Sequence, residues 1–133
     1  ILFAGQAEKQ LLSEFRGYAV NTPIFLEDLS LREFMSTLSH CSLFLCNNSG
    51  PLHIAAALNI PTVSTMGPTI PYHWWPYGKD HIVLRKNVDC SPCKKGICET
   101  HECMELITTN DFIAAVESQI RALDKGAKSC PTA

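Results

Sequence analysis

Residues 47–53 have types and spacing that could bind an anion. Gly50 permits a tight backbone turn, Pro51 suits the first turn of a helix because it lacks an N–H, and Ser49 is a natural N-cap. The unpaired N–H groups at such a helix start, together with the helix dipole, favour a phosphate group. His53 could add a hydrogen bond or, when protonated, a positive charge. A capped strand-to-helix junction with no ligand explains the same pattern equally well.

A cluster of cysteines is the second set of side chains that could do chemistry. Four thiols lie within fourteen positions, with His101 among them: Cys90, Cys93, Cys98 and Cys103. Such a cluster could wrap one tetrahedral zinc ion, although its spacing differs from that of paired zinc knuckles. One or two disulfides, or free thiols, account for the same residues, and the three interpretations stay open.

The elements that would position both groups alternate between strands and helices. Apolar or β-branched runs predict strands at 1–4, 24–26, 42–46, 62–66 and 81–85. Helical spacing and alanine content predict helices at about 7–16, 31–38 and 54–58, and from 109 or 110 to 126. Ser30 is the predicted cap of the second helix, and Thr109 or Asn110 of the last. The alternation predicts an α/β, Rossmann-like fold over 1–126, with a parallel sheet flanked by helices and a frayed tail at 127–133.

Composition limits the possible partners. The chain has 133 residues, 46% of them hydrophobic, and a formal charge of −2 from 11 basic and 13 acidic side chains. Without a basic stripe, nucleic acid is not an expected partner. No transmembrane segment or signal peptide is expected, because no apolar run approaches ~18 residues and no basic leader is present. The apolar run at the first residue, without a methionine, is expected of a fragment of a longer protein.

Three pieces of sequence resemble glycosyltransferase family 9, which contains the ADP-heptose:lipopolysaccharide heptosyltransferases. They are residues 48–57 (Asn-Ser-Gly-Pro-Leu-His-Ile-Ala-Ala-Ala), 61–63 (Pro-Thr-Val) and 67–69 (Gly-Pro-Thr). The resemblance implies half of a GT-B enzyme, in which two Rossmann-like domains face each other across a cleft. This chain is similar to the C-terminal, donor-binding half. The acceptor site and the general base are therefore expected in an N-terminal domain that is missing from it.

The resemblance also implies roles for individual residues. His53 is the expected catalytic residue, stabilising the diphosphate leaving group without a metal. Glu8 resembles a position that contacts the nucleoside of the donor. Asn48 departs from the aspartate of many relatives and could bond a sugar hydroxyl or its own turn. Of the adjacent Trp74 and Trp75, one is expected to pack within its loop, and the other could contact a sugar. The implied substrate-binding residues are Glu8, Asn48, Ser49, Gly50, Pro51, His53 and Thr69.

Together these features predict the donor domain of a bacterial glycosyltransferase in lipopolysaccharide biosynthesis, inactive as a fragment. The resemblance implies ADP-heptose as donor and a lipid-linked saccharide as acceptor. It also implies a place in the cytoplasm, at the inner face of the cytoplasmic membrane. No catalytic cofactor is expected, and zinc at the cysteines would be structural. The alternatives are a non-catalytic nucleotide-binding Rossmann domain and a metal-binding interaction module. A dehydrogenase is not expected, because no Gly-x-Gly-x-x-Gly follows the first strand.

Overall fold

The computed structural model describes residues 1–18, 20–21, 23–93 and 97–128. Within these ranges, strands alternate with helices as predicted. The strands are β1 (Leu2–Ala4), β2 (Phe25–Glu27), β3 (Phe44–Asn47), β4 (Thr62–Thr65) and β5 (His81–Leu84). The helices are α1 (Lys9–Tyr18), α2 (Leu31–Leu38), α3 (Gly50–Ala57), α4 (Pro71–Trp74), α5 (Glu102–Glu105) and α6 (Thr109–Lys128). A 3-10 turn, Gln6–Glu8, precedes α1.

The strands are parallel and divide between two sheets. The chain forms two compact units that meet in sequence between residues 37 and 38. In the first unit β1 pairs with β2, and in the second the order is β3-β4-β5. The predicted α/β class, with parallel strands flanked by helices, is therefore confirmed. That residues 1–126 act as one domain stays a prediction.

β4 is the centre of the second unit. It pairs with β3 on one side and with β5 on the other. Thr62, Val63 and Ser64 are all fully buried, and successive strand residues point to opposite faces, so both faces of β4 are covered. The covering helices are α3, which packs against β3 and β4, and α6, which packs against β4 and β5.

Two helices, α2 and α6, begin with a capping box. Ser30 caps α2 as predicted: the Glu33 carboxylate accepts bonds from the Ser30 N–H at 2.8 Å and from its hydroxyl at 2.6 Å. The predicted cap of α6 at Thr109 or Asn110 was wrong, because the cap is Thr108. Its Oγ1 accepts from the Asp111 N–H at 3.1 Å, and the Asp111 carboxylate accepts from the Thr108 N–H at 2.8 Å. Only Thr108 has an acidic residue three positions later, as a capping box requires.

α3 begins at Gly50, with Ser49 at the N-cap position and Pro51 in the first turn as predicted, so the helix starts ahead of the alanine-rich run at 54–58. The end of α6 differs from the prediction. α6 continues through Lys128, so the predicted tail at 127–133 begins as helix. Residues 129–133 lie outside the described part of the chain. None of the described helices is long and apolar enough to cross a membrane.

We expect Leu52→Ala to destabilise the fold strongly. Leu52 lies in α3 and is fully buried. Truncation removes packed methyl groups and leaves a cavity, which should lower the free energy of unfolding by about 2–5 kcal/mol. Leu11→Ala is the control, because the Leu11 side chain is 64% exposed. Chemical denaturation measures both variants. Equal losses of stability would contradict the placement of Leu52 in the core.

The start of α6 should give stability that depends on pH. The Lys86 ammonium, 2.9 Å from the Asp111 carboxylate, and the Thr108 N–H lower the pKa of Asp111 from 3.8 to about 2. The ionised form is therefore favoured by folding. Its contribution is present above pH 3.8 and is lost as the pH falls to about 2. As the pH falls through this window, the Tm of Asp111→Asn and that of Lys86→Ala should each decrease less than the Tm of the wild type. If Tm depended on pH equally in all three proteins, the assignment would be contradicted.

Candidate functional site

The predicted anion-binding turn is fastened to the central strand. It connects the end of β3 to the start of α3. The Asn48 N–H donates to the Thr65 carbonyl at 3.1 Å, and the Asn47 side-chain oxygen accepts from the Thr65 hydroxyl at 2.9 Å. Thr65 is the last residue of β4. The turn therefore lies at the carboxyl edge of the three-stranded sheet, where open α/β sheets bind ligands.

Ser49 is at the predicted N-cap position, but its hydroxyl does not cap the helix. Its backbone is extended, with φ −152° and ψ 177°, and no side-chain bond to the first turn of α3 is formed. The hydroxyl donates instead to the Asn47 carbonyl at a long 3.3 Å. Because the Ser49 side chain does not cap α3, the first turn keeps donors of the kind that bind phosphate oxygens. Pro51 is in this first turn as predicted.

Gly50 leaves open space at the helix start. A Cβ built on Gly50 would meet no atom within 4 Å, apart from those of the adjacent residues and of the helix's own backbone. Its small size is therefore not required by packing. A phosphate group can approach the backbone closely at a glycine. Close approach of a ligand would therefore explain a glycine at this position, which packing does not.

His53, in the first turn of α3, has a buried ring nitrogen. In the described chain, four buried side-chain atoms lack a hydrogen-bond partner: His53 Nε2, Ser64 Oγ, Thr69 Oγ1 and Arg85 Nε. Buried polar atoms are normally paired, so each unpaired one calls for a reason. Two of the four belong to predicted site residues. His53 follows β3 and Thr69 follows β4, so both lie beyond the carboxyl ends of neighbouring parallel strands.

Asn48 connects the turn to an aromatic loop. Its side-chain NH2 donates to the Trp74 carbonyl at 3.3 Å, and the ring of Trp74 lies 6.0 Å from that of His53, centroid to centroid. The bond reaches the last residue of α4, unlike the turn-internal bond that was one alternative. Trp74 and Trp75 are 50% and 49% exposed, so both stay half accessible. Trp74 thus borders the predicted site through two contacts.

Glu8 lies in the first unit, apart in sequence from the other predicted contacts. Its carboxylate accepts a bond from the Gly5 N–H at 2.7 Å and so closes the 3-10 turn that leads into α1. This local bond is sufficient to explain a glutamate at position 8 by structure alone. Its contact with the nucleoside of a donor stays a prediction.

The structure brings the four predicted cysteines to one cavity. Cys90, Cys93, Cys98 and Cys103 line a space of about 440 Å³ together with His101. Burial, and next the neighbouring Cys90 and Cys93 thiols, raise the pKa of Cys103. No disulfide joins any two of the six cysteines that are described. In this part of the chain, no group of three His, Cys, Asp or Glu is placed closely enough to hold a metal ion.

Ser91 and Met104, which the sequence did not single out, help to attach this cysteine segment to the loop after β4. The Ser91 hydroxyl donates to the Gly67 carbonyl at 2.9 Å, and the Cys93 N–H donates to the Pro68 carbonyl at 3.0 Å. A Cβ on Gly67 would lie 2.6 Å from the Met104 sulfur, so α5 packs directly on the glycine backbone. Gly67 was the available signal, because a glycine after a strand often marks such a close approach.

Comparison with known proteins gives a consistent result. The family model for glycosyltransferase family 9 (heptosyltransferase) matches residues 2–104. Lipooligosaccharide heptosyltransferase 2 of Campylobacter jejuni is 30% identical over 128 residues, which are 91% of this chain and 40% of that protein. Lipopolysaccharide heptosyltransferase 1 of Pseudomonas aeruginosa is 36% identical over 73 residues, 55% of this chain and 21% of that one.

A solved structure has the same fold. The crystal structure of the glycosyl transferase family 9 protein from Veillonella parvula superposes with a TM-score of 0.72 at 25% identity. The match covers 90% of this chain and 36% of that one, so this chain spans well under half the length of its relatives. On the family match over most of its residues, this chain belongs to glycosyltransferase family 9.

Proposed function

We propose that this chain is the donor-binding part of a glycosyltransferase that builds the lipopolysaccharide or lipooligosaccharide core, with ADP-heptose as its donor. The proposal is carried by the position and burial of His53. Its buried Nε2 lacks a described partner, and the residue lies in the first turn of α3, which the Ser49 hydroxyl does not cap. The names of the relatives, lipooligosaccharide and lipopolysaccharide heptosyltransferases, support the class of sugar and acceptor.

The chemistry follows from the leaving group. When the bond between the anomeric carbon and the diphosphate oxygen breaks, negative charge grows on the β-phosphate. Donors fixed in advance around that position stabilise the charge in the transition state. The N–H groups of Ser49 and Gly50 would bind phosphate oxygens, and His53 Nε2 would donate to the leaving oxygen when it carries a proton.

The Ser49 hydroxyl could join these donors at small cost. Its present bond to the Asn47 carbonyl, at 3.3 Å, is long for a hydroxyl donor, whose usual distance is ~2.7–2.8 Å. Turning the hydroxyl to a charged phosphate oxygen would exchange this weak bond for a stronger, charge-assisted one. Asn48 is assigned a positioning role, because its amide donates to the carbonyl of Trp74, whose ring lies beside that of His53.

The remaining parts of the reaction are proposed to lie outside these residues. An N-terminal domain would supply the acceptor site and the general base that removes a proton from the acceptor hydroxyl. The acceptor would be a lipid-linked saccharide, met at the inner face of the cytoplasmic membrane. Thr69, with its buried unpaired hydroxyl, would contact the donor from the loop after β4.

His53→Ala and Ser49→Ala should each slow sugar transfer by the full-length enzyme. Loss of one preorganised donor at a developing oxyanion typically lowers kcat about 10²–10³-fold. The effect should be larger for His53, since the Ser49 backbone N–H is retained. His40→Ala is the matched control, because this histidine is exposed and lies before β3. Unchanged turnover and unchanged ADP affinity in both site variants would refute the assignment.

The chain itself should bind ADP in preference to other nucleotides. A thermal-shift panel of ADP, UDP, GDP and CMP tests the base, and ADP should give the largest increase in Tm. A ligand at about 100 times its Kd stabilises the folded state by about 2.7 kcal/mol. The increase should vanish in His53→Ala and persist in His40→Ala. A larger shift with any other nucleotide would contradict ADP-heptose as the donor.

A further inference from the structure

We propose that Cys90, Cys93, Cys98 and Cys103 bind one structural zinc ion, which fixes the loop that carries Thr69. The metal site itself does not depend on sugar transfer and nothing in the comparisons assigns it, whereas its effect on Thr69 rests on the proposed function. It rests on the shared cavity, on the chemistry of the cavity walls and on the contacts that join the cysteines to Gly67 and Pro68.

The four thiols lie along one segment that runs from the end of β5 into α5. Cys90 and Cys93 follow β5, whereas Cys103 belongs to α5. All four cysteines nevertheless line the same cavity. Zinc in structural sites takes four such ligands in a tetrahedron, with Zn–S distances of about 2.3 Å. A set of four cysteine side chains in one cavity is the composition that such a site needs.

The walls of the cavity suit a cation. Besides the cysteines, its titratable lining residues are His101, Glu102 and Glu105. No lysine or arginine is among the described lining residues. The carboxylates favour positive charge by Coulomb attraction, while thiolate and imidazole are the ligands that zinc prefers over magnesium or calcium.

The sulfur atoms must move inward to share one ion. As the described side chains stand, no three of these donors are close enough for joint coordination. Cys90 is exposed and Cys93 and Cys98 are half-buried, whereas Cys103 is buried. The ion would therefore be anchored on Cys103, with the three more accessible thiols closing around it through changes in χ1.

Closure would act on the donor loop. Cys93 is bonded through its N–H to Pro68, and the side chain of Cys103 lies beside Gly67, with its sulfur 3.3 Å from the position a Cβ would occupy. Thr69 follows these two residues directly. Metal binding would hold 67–69 from two sides and so place the Thr69 hydroxyl, as structural metals do for the segments they join.

The test is the metal content of the chain purified with a non-thiol reductant and without added metal. We expect about one zinc per chain, together with protection of four thiols from a thiol reagent until a chelator is added. Replacing the zinc with Co²⁺ should give thiolate-to-cobalt absorption bands. Cys90→Ser and Cys98→Ser, at accessible positions, should each weaken metal retention at least about tenfold. Cys41→Ser is the control outside the cluster and should retain the metal.

Further readouts decide between the interpretations. Chelation should lower the Tm of the wild type and of Cys41→Ser, and should reduce the Tm increase caused by ADP. Absence of zinc with all thiols reactive would overturn the site, as would thiols oxidised in pairs in protein purified without reductant. Bound zinc with an ADP shift unaffected by chelation would overturn the role in placing Thr69. Zinc binding without any ADP response would refute the proposed function and leave the metal site standing.

Discussion

The parallel register of β3, β4 and β5 is the constraint on which the site depends. Because the three strands run in the same direction, their carboxyl ends meet at one edge of the sheet. The turn at 47–53, the loop at 67–69 and the segment that leads to the cysteines all begin at that edge. A slip of β4 by one residue would turn its buried side chains to the opposite face and separate the bonds from Thr65 to Asn47 and Asn48.

Gly67 is the second constraint on this region, because it has no side chain. Met104 occupies the space where a Cβ would be, so α5 can lie against the backbone at the end of β4. The carbonyl of the same glycine accepts the Ser91 hydroxyl. A single residue therefore connects the loop at 67–69, which follows the central strand, with the cysteine segment and α5, more than twenty positions away.

Local patterns determined much of the fold, and their failures have physical reasons. The Ser30–Glu33 capping box and the Gly-Pro start of α3 involve neighbours in sequence, so their geometry follows from spacing. The cap of α6 was misplaced because Thr109 and Asn110 are also good capping residues, and only the carboxylate of Asp111 selects Thr108. The division into two sheets depends on pairing between distant segments, which periodicity alone does not specify.

The sequence by itself determined the chemistry that is available: a helix start with His53, a loop ending in Thr69, and four clustered thiols. It also determined the alternation of strands and helices and the family likeness, since both are carried by residue order. Only the tertiary structure decided that Asn48 bonds to Trp74, that the hydroxyl of Ser49 turns away from α3, and that the cysteines share one cavity. These contacts join residues through space, where packing and hydrogen-bond competition, not local spacing, select the partner.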